Sequence, residues 1–144
     1  MFASFYAFQG YSEVESTSIS ISLLMHPPYW SQFLTAHQLV HTEVSIPEEV
    51  DLSELGIDLK FYDAGESRVE MEKFYPGLVV GADGFVAVAC CTTGSGDPYF
   101  INIHDGADGP LYRIYHDEVA LDSYDRTRAV TIVLSNYTDV LEFV

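Results

Sequence analysis

Five histidines and two adjacent His-Asp pairs are where this chain of 144 residues could do chemistry. His104-Asp105 and His116-Asp117, with Asp108 on the segment between them, would offer nitrogen and oxygen ligands or an acid-base pair if the fold made them converge. The same residue types are ordinary at solvated strand ends, and that is the preferred reading. His37 and His41 stand four apart on a predicted helix and could face one metal ion. The glutamate of H-E-x-x-H is missing between them, and no third ligand can be named. A metal-dependent hydrolase built on His104, Asp105, His116 and Asp117 would have neither a recognised ligand spacing nor an activated nucleophile.

Other polar clusters read as loops. The segment TTGSGDP, residues 92–98, has the glycines of a phosphate cradle. A cradle, however, opens a helix and usually carries a lysine, whereas here a strand follows and no basic residue is near. Ser95 between glycines fails as a nucleophile elbow for the same reason. HDGADGP, residues 104–110, lacks both the acid spacing and the distal glutamate of a calcium loop. Cys90 and Cys91 are neighbours, so in a strand they point to opposite faces and read as reduced, partly buried packing residues. The residues thus predict no catalytic group, no metal and no cofactor.

Charge is the strongest compositional fact. Six Lys plus Arg stand against 22 Asp plus Glu, a net charge of −16. A field of that sign repels nucleic acid and anionic membrane and speeds encounter with a cationic partner, although acidity also serves solubility. At 48% hydrophobic and 14% aromatic the chain can fill the core of one domain. No run reaches the roughly 18 apolar residues of a membrane span, and residues 1–11 lack a secretory pattern, so a cytoplasmic protein is expected.

The elements that must position these groups centre on residues 74–115. Three apolar runs, 85–91, 99–103 and 111–115, are separated by loops of Gly, Asp and Pro too short for a parallel crossover. Antiparallel hairpins follow, in what composition makes one compact domain. Before it, the alternation at 16–24 predicts a strand, and Pro27 and Pro28 open a helix whose face is Tyr29, Phe33, Ala36 and Val40, flanked by Trp30 and His37. Residues 42–56 read as loop with a turn of helix, and 57–62 as a strand. Ser67 with Glu70 matches a capping box for a short helix, 67–74, that would bury Met71, Phe74 and Tyr75. Residues 78–80 read as a strand paired with 85–91 through a hairpin at Gly81, Ala82, Asp83 and Gly84. Beyond the middle third, 117–128 is polar, 129–134 is a strand, and a last helix from Ser135 buries Tyr137, Val140 and Leu141.

In this order the chain resembles the SUKH superfamily, the Smi/Knr cell-wall assembly regulators and bacterial immunity proteins. The resemblance is carried by FYPG, by LVVGADG, by GSGDPYFINI, by PLYRIYHDEV and by the terminal SNYTDVLEFV. Gly96, Asp97, Pro98, Tyr99, Phe100, Ile101, Asn102 and Ile103 match a Gly-Asp-x-aromatic-x-hydrophobic-Asp signature, with Asn102 where an acid is commoner. It extends over about residues 29–144, and residues 1–25 have no obvious counterpart. The family pattern of a Leu-Pro pair before an aromatic and an Asn-Gly is at best represented by Pro28, Tyr29 and Trp30.

The resemblance implies an α+β fold, a single domain with a curved, mostly antiparallel sheet flanked by helices, and a non-enzymatic binding protein, commonly one that neutralises a cognate polymorphic toxin. A regulatory interaction module without a toxin partner is the alternative. Asp97, Asp105 and Asp108 would steer a basic partner, with nearby Tyr99, Tyr112 and Tyr115 as anchors. Alternation in 111–115 places Leu111, Arg113 and Tyr115 together. Arg113 makes that set the wetter one unless it pairs with an acid.

Overall fold

A computed structural model describes residues 26–144. Six strands form one antiparallel meander in sequence order: β1 (Glu43–Ile46), β2 (Ile57–Phe61), β3 (Phe85–Cys91), β4 (Tyr99–Asn102), β5 (Leu111–Ile114) and β6 (Val130–Leu134). The sheet curls into a half-barrel, and the Leu52 amide after β1 reaches across to donate to the carbonyl of Val133 in β6. The expected α+β class with a curved antiparallel sheet is the observed one. The strand expected at 16–24 lies outside the described residues.

One face of the sheet is covered by α1 (Pro28–Ala36) and the terminal 3-10 helix Tyr137–Phe143. Trp30 is the keystone there, fully buried, with its ring against Phe33, Phe61 and Tyr137. The helix therefore buries Trp30, Phe33 and Leu34, whereas Ala36 and Val40 of the expected face are exposed and Tyr29 is half-buried. Apolar identity alone could not orient it, because Trp30 carries by far the most area to remove from water. The other face is covered by α2 (Ala64–Lys73), α3 (Gly77–Val80) and α4 (Arg126–Ala129), over a second cluster that includes Met71, Phe85, Phe100 and Tyr112. With both faces covered, every residue of β4 and β5 is buried.

A β-bulge in β3 ties the layers together. Ala87 pairs with Phe100 and Ala89 with Tyr99, so Val88 is the extra residue and both Val88 and Ala89 face the first cluster. The displaced backbone of Ala87 turns to α2, where Ser67 Oγ donates to its carbonyl at 2.5 Å and its amide contacts Met71 Sδ at 3.3 Å. Ser67 is thus a buried hydrogen-bond donor inside the helix and not its cap. The cap is Asp63, whose carboxylate accepts from the Glu66 amide while the Glu66 carboxylate accepts from the Asp63 amide.

Three further expectations change. Residues 43–46 form β1 and not loop, with Val44 and Ile46 inward and Glu43 and Ser45 outward. Residues 78–80 are helical, running into the 3-10 turn Gly81–Asp83, because the amides of Leu78 and Val80 find the carbonyls of Phe74 and Pro76. The final segment is 3-10, and it buries Tyr137 and Val140 while Leu141 is only half-buried. Among the described residues no helix is long and apolar enough to cross a membrane.

Candidate protein-docking face

Antiparallel geometry sends the two His-Asp pairs to opposite ends of the sheet. Tyr99 pairs with Arg113 and Phe100 with Tyr112, so the end of β4 lies beside the start of β5. His104 follows the end of β4 and His116 the end of β5, so the whole length of a four-residue strand, about 13 Å at about 3.3 Å per residue, lies between the two ends that carry them. They do not converge, and no shared acid-base or metal site forms from them.

At the end occupied by His116, the glycine-rich turn 92–98 packs against that residue, just beyond β5. Asp97 accepts from the His116 amide at 2.9 Å and lies 2.7 Å from its Nδ1. Gly96, at φ +81°, lets the turn pass beneath the imidazole, where a Cβ would sit 3.4 Å from His116 Cε1. Asp97 is accordingly engaged in holding the loop. Cys91 lies at the root of this turn, with its sulfur 3.1 Å from Thr93 Oγ1. Burial alone would push the thiol up, but hydrogen bonds from Ser95 and Thr93 outweigh it and bring it down to about 7, whereas burial pushes the Cys90 thiol up. Thiolate is the species that reacts. Alkylation by iodoacetamide, followed by mass spectrometry across pH, is therefore expected to label Cys91 first with a midpoint near 7, and Cys90 only at higher pH.

The opposite end is built around Gly84 and Asn102. Gly84 has φ +93°, and a Cβ there would meet His104 Cδ2 at 2.7 Å and Asn102 Oδ1 at 2.9 Å, so only glycine fits. Asn102 is buried, donating from Nδ2 to the Asp83 carbonyl at 3.1 Å and accepting the His104 amide at 2.9 Å. An amide can do both, whereas a carboxylate only accepts. Asn102→Asp would set a buried anion against a carbonyl and is expected to cost about 2–3 kcal/mol in urea unfolding. A variant as stable as the wild type would contradict this arrangement.

Asp105 and Asp108 are exposed at this same end, Asp108 in the left-handed region at φ +63°. Asp105 accepts from the Tyr112 hydroxyl at 2.7 Å, and burial together with this bond pushes Tyr112 up to about 12. Asp83, also exposed, accepts from the Tyr124 hydroxyl. Of the residues that sequence reasoning proposed as anchors, Tyr99, Tyr112 and Arg113 are interior, and Tyr115 is half-buried. Arg113 is not on a wet face: its guanidinium donates to the Gly56 carbonyl and the Tyr99 hydroxyl, each at 2.9 Å, and lies over the Tyr99 ring. The loop surface that remains for a partner is carried by Asp105 and Asp108, whereas the Asp97 side chain is only 13% exposed and is taken up by His116.

Sequence reasoning missed the apolar surface beside Asp83. Phe74, Tyr75 and Leu78 were expected in the core or in a strand, and all three are exposed, Leu78 lining an open cavity of about 330 Å³ between the end of α2, α3 and the start of β3. Leu121 is exposed nearby, its carbonyl accepting from the Tyr75 hydroxyl at 3.4 Å. The helix-ending Phe74-Tyr75-Pro76-Gly77 was the available signal, since a chain that leaves its helix there takes the aromatics with it. His37 and His41 do not share a helix face, because α1 ends at Ala36 and His41 has φ +63°. His41 Nε2 instead lies 2.9 Å from Glu66 and 3.4 Å from Asp63, both acids of the α2 cap. These three could hold a cation, although capping already employs both carboxylates.

Compared with protein-family models, curated proteins and solved structures, the chain matches none.

Proposed function

We propose that this protein is a non-enzymatic binding domain for a basic protein, and that the partner is a toxin domain which it neutralises in the cytoplasm. The observation that carries the reading is how little of the acidity is answered internally. Among the described residues one Lys or Arg forms an ion pair, Arg128 with Glu118 at 3.4 Å. Arg113 is spent in the core and Arg126 lies over the Phe85 ring. Most of the 22 carboxylates therefore contribute to an outward negative field, which accelerates capture of a cationic surface and disfavours anionic ones. The toxin assignment adds the order of motifs shared with the immunity proteins that the chain resembles.

Affinity purification of the full chain from its own cells at low salt, with mass spectrometry of the eluate, tests this. A single basic protein is expected, whose expression alone arrests growth and whose co-expression with this chain does not. Recovery of nucleic acid, of an acidic protein or of no partner would contradict the reading.

A further inference from the structure

We propose that the cavity between α2, α3 and β3 is the socket for one large apolar side chain of the partner, presented on a segment flanked by Lys or Arg. The inference rests on the binding role proposed above and specifies its surface. Met71, Gly77, Leu78, Gly81, Phe85 and Ile103 line an open hollow of about 330 Å³. That is the low end of the roughly 300–1,000 Å³ typical of binding clefts, a size suited to a single anchor.

The hollow is held in place by backbone. A Cβ on Gly77 would lie 2.6 Å from the Glu70 carbonyl oxygen, and one on Gly81 would lie 2.9 Å from Met71 Cε. Small residues thus keep α3 tight against α2 and fix the floor. Leu78 lines the hollow and remains exposed; Phe74, also exposed, accepts the Leu78 amide at its carbonyl, and exposed Tyr75 reaches exposed Leu121.

Charge selects the occupant. Glu72 lines the hollow, and exposed Asp83 sits between its lining residues Ala82 and Gly84. Asp105 follows two residues after lining Ile103. The nearby cations are Lys73, next to Glu72, and Arg126, which is occupied over the Phe85 ring. An apolar floor with three carboxylates about it complements an aromatic or aliphatic residue between basic neighbours and repels the same residue between acids.

The test is NMR titration of the full chain with a capped pentapeptide of sequence Lys-Arg-Phe-Arg-Lys, with its central-alanine form, and with a form carrying glutamates for the four basic residues. The expected result is shifts confined to Met71, Glu72, residues 77–86 and Ile103, with binding about tenfold weaker for the alanine peptide and none for the acidic one. Ala82→Trp, which fills the hollow from an exposed lining position, and Glu72→Lys, which reverses its rim, should each weaken the basic peptide about tenfold while keeping a dispersed spectrum.

Shifts centred on Asp97 and His116, or equal affinity for all three peptides, would overturn the proposal. So would self-association abolished by Ala82→Trp, which makes a second copy the occupant. Tighter peptide binding after Phe5→Ser and Phe8→Ser would overturn it too, by making residues 1–25 of the same chain the occupant. A basic protein partner that binds Ala82→Trp as tightly as the wild type removes the socket and leaves the binding role standing. A partner that proves acidic removes the binding role itself.

Discussion

Replacing Arg113 with alanine is expected to lower the free energy of unfolding by about 3 kcal/mol while leaving the affinity of the folded protein for a basic partner unchanged. The guanidinium is buried between β5 and the end of the loop before β2, donating to the Gly56 carbonyl and the Tyr99 hydroxyl and lying 5.4 Å above the Tyr99 ring centre. Buried Asp51 supplies the nearby negative charge. Truncation strips the buried Tyr99 hydroxyl and the half-buried Gly56 carbonyl of their donor, removes the positive charge nearest Asp51 and opens a void. Each lost partner costs about 1–3 kcal/mol, against a total stability of only about 5–15 kcal/mol for a domain. Urea unfolding monitored by fluorescence should show the midpoint falling sharply, with thermal unfolding about 10 °C lower. A loss under about 1 kcal/mol accompanied by a loss of partner affinity would instead place Arg113 at the interface, where sequence reasoning first put it.

The second large effect is expected from charge. The triple neutralisation Glu72→Gln, Asp105→Asn and Asp108→Asn should slow association with a basic partner about tenfold or more at low ionic strength, with little change in stability. Amides keep the acceptor that Tyr112 uses on Asp105, and asparagine tolerates the left-handed backbone of Asp108 as well as aspartate does. The matched control is Glu43→Gln, Glu48→Gln and Glu49→Gln, three exposed acids in and after edge strand β1, which should change the rate by less than about twofold. Stopped-flow association measured for both triples separates a directed face from diffuse acidity. Equal slowing by the two would contradict a specific face.

What could be read from the sequence was the middle of the sheet. Residues 85–91, 99–102 and 111–114 are strands because β-branched and aromatic runs bounded by Gly, Asp and Pro leave the backbone no better way to satisfy its donors. What could not be read depended on long-range partners. The bulge at Val88 has no local marker, yet it explains why Ser67 sits inside α2, 20 residues from the carbonyl it serves. Alternation in β5 predicted one wet face, but α2 and α4 cover one side while Arg113 finds Tyr99 and Gly56 on the other. Residues 78–80 include the β-branched Val79 and Val80 and were expected to be extended; propensity lost to a turn of helix begun at Pro76. Of the candidate site, the exposed acids Asp105 and Asp108 were legible, because turn residues stay on the surface. The hollow beside Leu78 was not, since it exists only where three separate segments meet.

The most direct test of the central claim is the salt dependence of the complex. Titration calorimetry of the wild-type chain with its isolated basic partner at 50 and at 500 mM salt is expected to show affinity falling at least about a hundredfold, because the higher salt screens an attraction between opposite charges. An affinity that holds constant between the two conditions, or that rises with salt, would contradict the account.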